Sequence, residues 1–210
     1  MTANTILRKY VRELLTEAAA NESSLEQADA YIAIEDDGDI DIFYADADGH
    51  ERAMGVNPPF GSITIMKPDE KSGPCGDAYT ILFSEASKGW GPMLYDIVIE
   101  IATMRGGGLT PDRGTVSPQA MNVWGYYDAN RSDVTSHQLD ATDRDVKFGK
   151  IQKLTPDVVT DDCSQRSAMK DAKVQTDDKQ NWSSSPLSRR YTKSPSTIQA
   201  LRFAGRLIEK

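Results

Sequence analysis

The spacing of apolar residues changes several times along the chain, and each change marks a predicted element. Thr5–Ala20 repeats apolar residues every three to four positions, which predicts a half-buried helix. Two β-branched runs come next, Ala30–Glu35 and Ile40–Tyr44, and the Asp-Asp-Gly-Asp between them is a hairpin signal, since Asp-Gly tolerates positive φ. Further strands at Glu51–Val56 and Ser62–Lys67 complete a predicted antiparallel meander.

The strongest pattern is a strand, a turn and a helix between Ala78 and Thr103. An apolar run, AYTILFS, leads into EASKGWGP, which contains two glycines, and then into MLYDIVIEIAT, which has an apolar helical face. The proline before that last run suits the first helical position. Backbone N–H groups at the start of such a helix point into the turn, where the helix dipole favours an anion such as phosphate.

The chain after this unit predicts one further strong helix and several weaker elements. The glycines at 106–108 favour a helix stop, Ser117 is a good N-cap, and Pro118 suits the first helical position. From there, apolar residues share one helical face as far as Tyr127. Weaker patterns predict strands at Asp133–Leu139 and Val146–Leu154 and a helix at Ile198–Ile208.

Composition bounds the architecture. With 210 residues, 39% of them hydrophobic, the chain can bury one good core. We expect an α+β domain at 1–154, with a mainly antiparallel mixed sheet flanked by helices, and an extended C-terminal arm at 155–210 that ends in a short helix. The arm is rich in polar residues up to Thr197 and cannot close a core by itself. No apolar run approaches about 18 residues, so we expect no membrane span and a cytoplasmic location.

Charge is spread unevenly along the chain. The net charge is -8, yet residues 155–210 contain 10 basic and 7 acidic residues. The acidic balance makes nucleic acid an unexpected partner, because phosphate backbones are bound by clustered Lys and Arg. The basic residues of the arm either form a solvated face or contact an acidic partner, including the acidic body of the same protein. We expect a protein partner or self-association through residues 186–210.

Metal-binding patterns are weak. Neither the aspartates at 36–41 nor Asp46, Asp48 and Glu51 reproduce the twelve-residue calcium loop, and His50 and His137 are isolated. Two cysteines are too few for a disulfide framework or a cysteine metal site. We therefore predict no metal site from the sequence.

The central unit, together with SPQAMNVWGYY at 117–127, resembles the GNAT acyltransferase superfamily as encoded by tailed bacteriophages. Gly89 and Gly91 match the glycines of its Q/R-x-x-G-x-G/A motif, which comes after a splayed strand and holds the pyrophosphate of acetyl-CoA. Ala120 matches the alanine of its N-x-x-A-x-x-x-Y helix. The sequence departs from the family where Ala86 replaces Gln or Arg, where Trp124 replaces the tyrosine, and where the strand between the two helices is replaced by a Gly- and Pro-containing segment.

The resemblance implies an acyl-CoA-dependent N-acyltransferase of phage type, active or degenerate, with acetyl-CoA as cofactor. The alternative is a non-catalytic virion or assembly protein that uses the body as a scaffold, and an intracellular interaction or counter-defence factor is a third. The location is then the host cytoplasm or the virion. The implied site comprises a cofactor cradle of Ser84, Lys88, Gly89, Trp90 and Gly91, an acid, Tyr127, and a base, Glu85 or Asp112. On the structural interpretation of the same residues, the glycines permit a tight turn, Trp90 caps the core and Tyr127 packs.

Overall fold

The computed structural model describes residues 20–53, 59–67, 77–111, 116–141, 154–156, 161–163 and 184–210. The helices there are α1 (Glu22–Gln27), α2 (Gly91–Arg105), α3 (Pro118–Asn130) and α4 (Ser196–Phe203). The strands are β1 (Tyr31–Asp37), β2 (Asp39–Ala45), β3 (Gly61–Met66), β4 (Tyr79–Ala86), β5 (Leu109–Thr110), β6 (Val134–Gln138), β7 (Asp140–Ala141), β8 (Asp162–Cys163), β9 (Arg189–Lys193) and β10 (Leu207–Glu209). The helix predicted at 5–20, apart from Ala20, lies outside the described residues, as do 54–56 of the strand predicted at 51–56 and 146–153 of the strand predicted at 146–154. In the described part of the first of these strands, Glu51 forms an isolated antiparallel bridge with Ala45.

Eight strands form one mixed sheet in the order β10-β1-β2-β3-β4-β5-β9-β6, and β7 pairs with β8. β4 and β5 are parallel, β1 and β10 are parallel, and β9 is antiparallel to both of its neighbours. The predicted α+β class with a mixed sheet is confirmed. The prediction of an extended C-terminal arm is wrong for residues 189–193 and 207–209. These residues form an interior strand and an edge strand of the sheet.

The chain divides into two compact units, of which the first comprises residues 1–64, 83–98 and 196–210. Its β1–β2 hairpin pairs Tyr31 with Ala45 through to Asp37 with Asp39, and Gly38 has a φ of +99° at the turn, as the Asp-Gly signal predicted. Apolar side chains of the hairpin, β3 and the start of α2 form its core: Ile32, Ile34, Ile40, Ile42, Tyr44, Ile63, Leu94 and Ile97.

The second unit comprises residues 65–82 and 99–195. Ser117 caps α3 by accepting the N–H of Ala120 at 3.1 Å, which confirms the predicted start of that helix. Trp124 of α3 stacks on Tyr191 of β9, with ring centroids 4.8 Å apart. Both rings are buried, and burial raises the pKa of Tyr191. The stack lies in the core and joins α3 to β9. The polar residues around Tyr191 had not predicted that strand.

A glycine corner ends α2 and begins β5. Gly106 and Gly108 both donate N–H groups to the carbonyl of Ala102, and Gly108 has a φ of +105°. A Cβ on Gly107 would lie 2.0 Å from Oδ1 of Asp77, so a larger residue there would displace the exposed Asp77 side chain. The corner confirms the predicted helix stop. The strand beyond it corrects the expectation of an irregular segment between the two long helices.

The last residues of the chain form a helix and then a strand. The apolar spacing at 198–208 predicted one helix, but α4 ends at Phe203 and Gly205 has a φ of +65°. Beyond that glycine, Leu207 pairs in parallel with Ile32 of β1. The single-helix prediction is therefore wrong at its end, because a left-handed glycine stops the helix and residues 207–209 pair with the edge of the sheet.

The basic residues of the C-terminal region contact acidic side chains of the same chain. Within the described ranges these pairs are Arg189–Asp128 at 3.6 Å, Arg190–Asp77 at 3.6 Å, Lys193–Glu100, Lys193–Asp133 at 3.8 Å, Arg202–Glu209 at 2.7 Å, Arg206–Asp29 at 3.5 Å and Lys210–Glu35 at 2.6 Å. Of these, Lys193 and Glu100 are buried, while Arg202 and Glu209 are half exposed. The basic run is thus neutralised largely within the fold. No helix in the described part of the chain is long and apolar enough to cross a membrane.

Candidate functional site

The turn from β4 to α2 is closed by hydrogen bonds that fix its backbone. The N–H of Trp90 donates to the carbonyl of Ser87 at 3.0 Å, and Gly89 has a φ of +88°, which favours glycine. Buried Ser87 is itself held, because its N–H and its hydroxyl both donate to the carbonyl of Phe60, at 3.0 and 3.2 Å. The turn is therefore closed by its own hydrogen bond and tied to Phe60.

Two carbonyl groups of the turn already accept hydrogen bonds. The carbonyl of Gly89 accepts the N–H of Ala20 at 3.1 Å, and that of Trp90 accepts the hydroxyl of Tyr44 at 2.5 Å. The Tyr44 and Trp90 rings also meet edge to face, with centroids 5.4 Å apart. Tyr44 is fully buried, and burial raises the pKa of its hydroxyl. Trp90 is thus anchored on the core through both its ring and its backbone.

The N–H groups of the turn remain available. Within the described residues, those of Lys88, Gly89 and Gly91 donate no hydrogen bond, while Pro92 has no N–H. They precede or begin a helix of 15 residues, whose dipole makes this end positive. Among the described residues, a Cβ on Gly91 would meet only the Cβ of Ala86, at the ordinary contact distance of 3.7 Å, so this position has room for a methyl group. The side chain of Lys88 is exposed and adds a positive charge.

The end of β4 places two more predicted residues beside the turn. Ser84 lies 3.1 Å from the hydroxyl of Tyr95 on α2, and Tyr95 is buried, which raises the pKa of its hydroxyl. Glu85 is the next residue and is half-buried. Its neighbour Ala86 packs closely on Gly61 of β3. A Cβ on Gly61 would lie 2.5 Å from the Ala86 Cα. The first unit therefore brings together the whole predicted cradle and one of its two candidate bases.

The predicted acid, Tyr127, belongs to the second unit. Its ring lies 6.4 Å from Trp124 and 6.1 Å from Tyr126, and the Arg131 guanidinium lies 5.0 Å from its centroid. With 2% of its surface exposed, Tyr127 is part of an aromatic core cluster. The other candidate base, Asp112, lies outside the described residues.

Sequence reasoning missed Tyr44 and Tyr95, which hold the turn and the strand end. Tyr44 reaches Trp90 across 46 positions in the chain, and no local pattern signals such a contact. Tyr95 had a weak signal, since it lies one helical turn beyond Gly91 and so shares its face of α2.

Comparison of the chain with protein-family models, with curated proteins and with solved structures finds no match.

Proposed function

We propose that this protein binds an acyl-CoA at the β4–α2 turn and is an N-acyltransferase-like protein of the GNAT type. The observation that carries the proposal is the turn itself, in which three N–H groups donate no hydrogen bond to the described residues and lie at the start of a long helix. Such a site suits the pyrophosphate of the cofactor, because N–H donors and the helix dipole both favour negative charge. The carbonyl groups of Gly89 and Trp90 are bonded elsewhere and do not oppose an anion.

Acyl transfer would result from this binding. An amine nitrogen attacks the thioester carbonyl, the C–S bond breaks, and the amine loses a proton while the departing thiolate gains one. Half-buried Glu85 is our candidate to accept the amine proton, and Tyr127 remains the candidate donor to the thiolate on the resemblance alone. Its buried aromatic surroundings favour the packing role, so the proposal depends on cofactor binding and not on Tyr127.

Isothermal titration of the purified protein with acetyl-CoA, CoA and pantetheine tests the proposal. We expect acetyl-CoA and CoA to bind and pantetheine, which lacks the pyrophosphate, to bind far more weakly. Gly91→Ala should weaken acetyl-CoA binding, since the new methyl group shares the space next to the N–H groups without straining the fold. The matched control is Gly125→Ala on α3, whose Cβ would meet nothing within 4 Å. Absence of binding at millimolar cofactor refutes the proposal, and so does equal weakening by the two substitutions.

A second candidate is a non-catalytic virion or assembly protein, and one observation favours it. Phe203 at the end of α4 is 97% exposed, within the region where we expected protein contacts. A phenylalanine so exposed is suited to a protein interface. Mass spectrometry of purified virions tests this function, and absence of the chain from particles would remove it.

A further inference from the structure

Three aspartates in the second unit meet beside the short β7–β8 pair. Asp140 is the register partner of Asp162, and Asp161 precedes Asp162 in the chain. One carboxylate oxygen from each of the three lies within 4.8 Å of the other two. Asp140 has no exposed surface, and the other two are half-buried. Three acidic groups therefore share a small space that is largely shielded from water.

The hydrogen bonds around this trio satisfy some carboxylate oxygens and leave others. Oδ1 of Asp140 accepts the N–H groups of Leu154 and Thr155, at 2.6 and 3.0 Å, and Oδ2 of Asp161 accepts the Thr155 hydroxyl at 2.7 Å. Oδ2 of Asp140, Oδ1 of Asp161 and Oδ1 of Asp162 are buried and have no partner among the described residues. The bonds orient the carboxylates of Asp140 and Asp161 while leaving one buried oxygen on each.

No ion pair among the described residues involves any of the three. Neighbouring carboxylates repel one another, and a buried acceptor without a donor is unfavourable, so such a site is suited to a bound cation. Calcium binds oxygen ligands at about 2.3–2.6 Å, and oxygens up to roughly 5 Å apart can therefore share one ion. Carboxylate oxygens are also the ligands that hard divalent cations prefer.

We propose that Asp140, Asp161 and Asp162 bind one hard divalent cation of the calcium class. The ion links the β7–β8 pair to residues 154–155, because Asp140 and Asp161 are themselves bonded to that segment. Water completes its coordination, as is usual for sites with few protein ligands. The site stabilises this part of the fold, and its occupancy does not depend on acyl-CoA.

A second acidic cluster, Asp46, Asp48 and His50, provides the contrast. There Oδ1 of Asp46 accepts the N–H groups of Asp48 and His50, at 3.0 and 2.9 Å, and the Asp48 side chain is exposed. These bonds form a turn that is complete without an ion. Asp48→Asn is therefore a matched control, since it removes one negative charge from an acidic cluster that has no buried unpartnered oxygen among the described residues.

The test uses the full-length protein, stripped with EDTA and dialysed. Titration calorimetry with CaCl2, and with MgCl2 and MnCl2 in parallel, should show one saturable site for at least one ion. The thermal midpoint should rise with the logarithm of that ion's concentration, as expected for a ligand that binds the folded state. Asp140→Asn and Asp162→Asn should each abolish both effects, and Asp48→Asn should retain them. Without ion, Asp140→Asn should unfold at a higher temperature than the wild-type protein, because one repelling charge is gone while the amide oxygen keeps both N–H bonds.

Three results would overturn the inference. The first is no binding and no thermal shift with any of the three ions. The second is a thermal shift that equimolar KCl or choline chloride at matched ionic strength reproduces, since charge screening then explains it. The third is an equal loss of ion binding and of the thermal shift in Asp48→Asn and Asp162→Asn. If Asp140→Asn does not fold, Asp162→Asn, at a half-buried position, decides the question.

Discussion

Replacing Lys193 by methionine should lower the free energy of unfolding far more than replacing any exposed charged residue. The Lys193 ammonium forms an ion pair with Glu100, and the two side chains are 2% and 0% exposed. Methionine keeps most of the aliphatic stem, and the Lys193 N–H keeps its bond to the Thr103 hydroxyl at 3.0 Å. The main loss is therefore the charge that compensates buried Glu100.

The size of this effect comes from burial. Removing one partner of a buried ion pair costs about 3–5 kcal/mol, because the remaining charge stays in a poorly hydrated place. The half-exposed Asp133, 3.8 Å from the ammonium, also loses a partner but is bonded to Arg131 at 2.7 Å and contributes little. For a chain of this size, the loss lowers the thermal midpoint by roughly 6–20 °C.

Urea unfolding monitored by tryptophan fluorescence and by circular dichroism measures the change. Replacing both Lys193 and Glu100 by methionine should recover most of the stability, since apolar pairs of similar volume substitute well for buried ion pairs. Arg202→Met is the control, because the Arg202–Glu209 pair is half exposed and should cost less than about 1 kcal/mol. A loss below about 1 kcal/mol for Lys193→Met, or no recovery in the double variant, would refute the reasoning.

Three further substitutions have defined outcomes. Gly108→Ala should destabilise the protein, because its φ is +105° and a Cβ would lie 2.6 Å from the Tyr191 carbonyl; unchanged urea unfolding would contradict this. His137→Gln should flatten the dependence of stability on pH between about pH 7.5 and 5. Burial and nearby Arg190 lower the pKa of His137 below 6.5 in the folded state. The unfolded chain therefore takes up the proton first as the pH falls. The stability that neutral His137 contributes is present above pH 6.5 and is lost below it. Tyr44→Phe should cost about 1 kcal/mol by removing one buried hydrogen bond to the turn, and amide hydrogen exchange at residues 87–91 should increase.

Local chemistry in the sequence predicted much of the fold. The Asp-Gly turn at Gly38, the cap at Ser117 and the glycine stop at 106–108 all act within a few residues, and each was confirmed. The strand–turn–helix unit obeys the same local rules. The predicted cradle residues lie at one turn and the strand end before it, because they are close together in the chain.

The features that the sequence did not predict depend on contacts between distant positions. The run Arg189–Lys193 is polar and looks exposed, yet it forms an interior strand because Glu100, 93 positions away, neutralises Lys193. β5 is only two residues long, which is too short for a period to appear. The aspartate trio combines Asp140 with residues about 20 positions later, and neither part alone has the spacing of a known metal motif.

The pairing of β10 with β1 has a consequence for how the chain avoids aggregation. β1 is a seven-residue strand with an apolar start, and without β10 its outer edge would offer unpaired backbone groups to another copy. β10 covers Ile32 to Ile34 and moves the sheet edge to a three-residue strand, flanked by Arg206 and Lys210. A variant without residues 206–210 would retain the β1–β2 hairpin but expose an edge suited to pairing with its own copies.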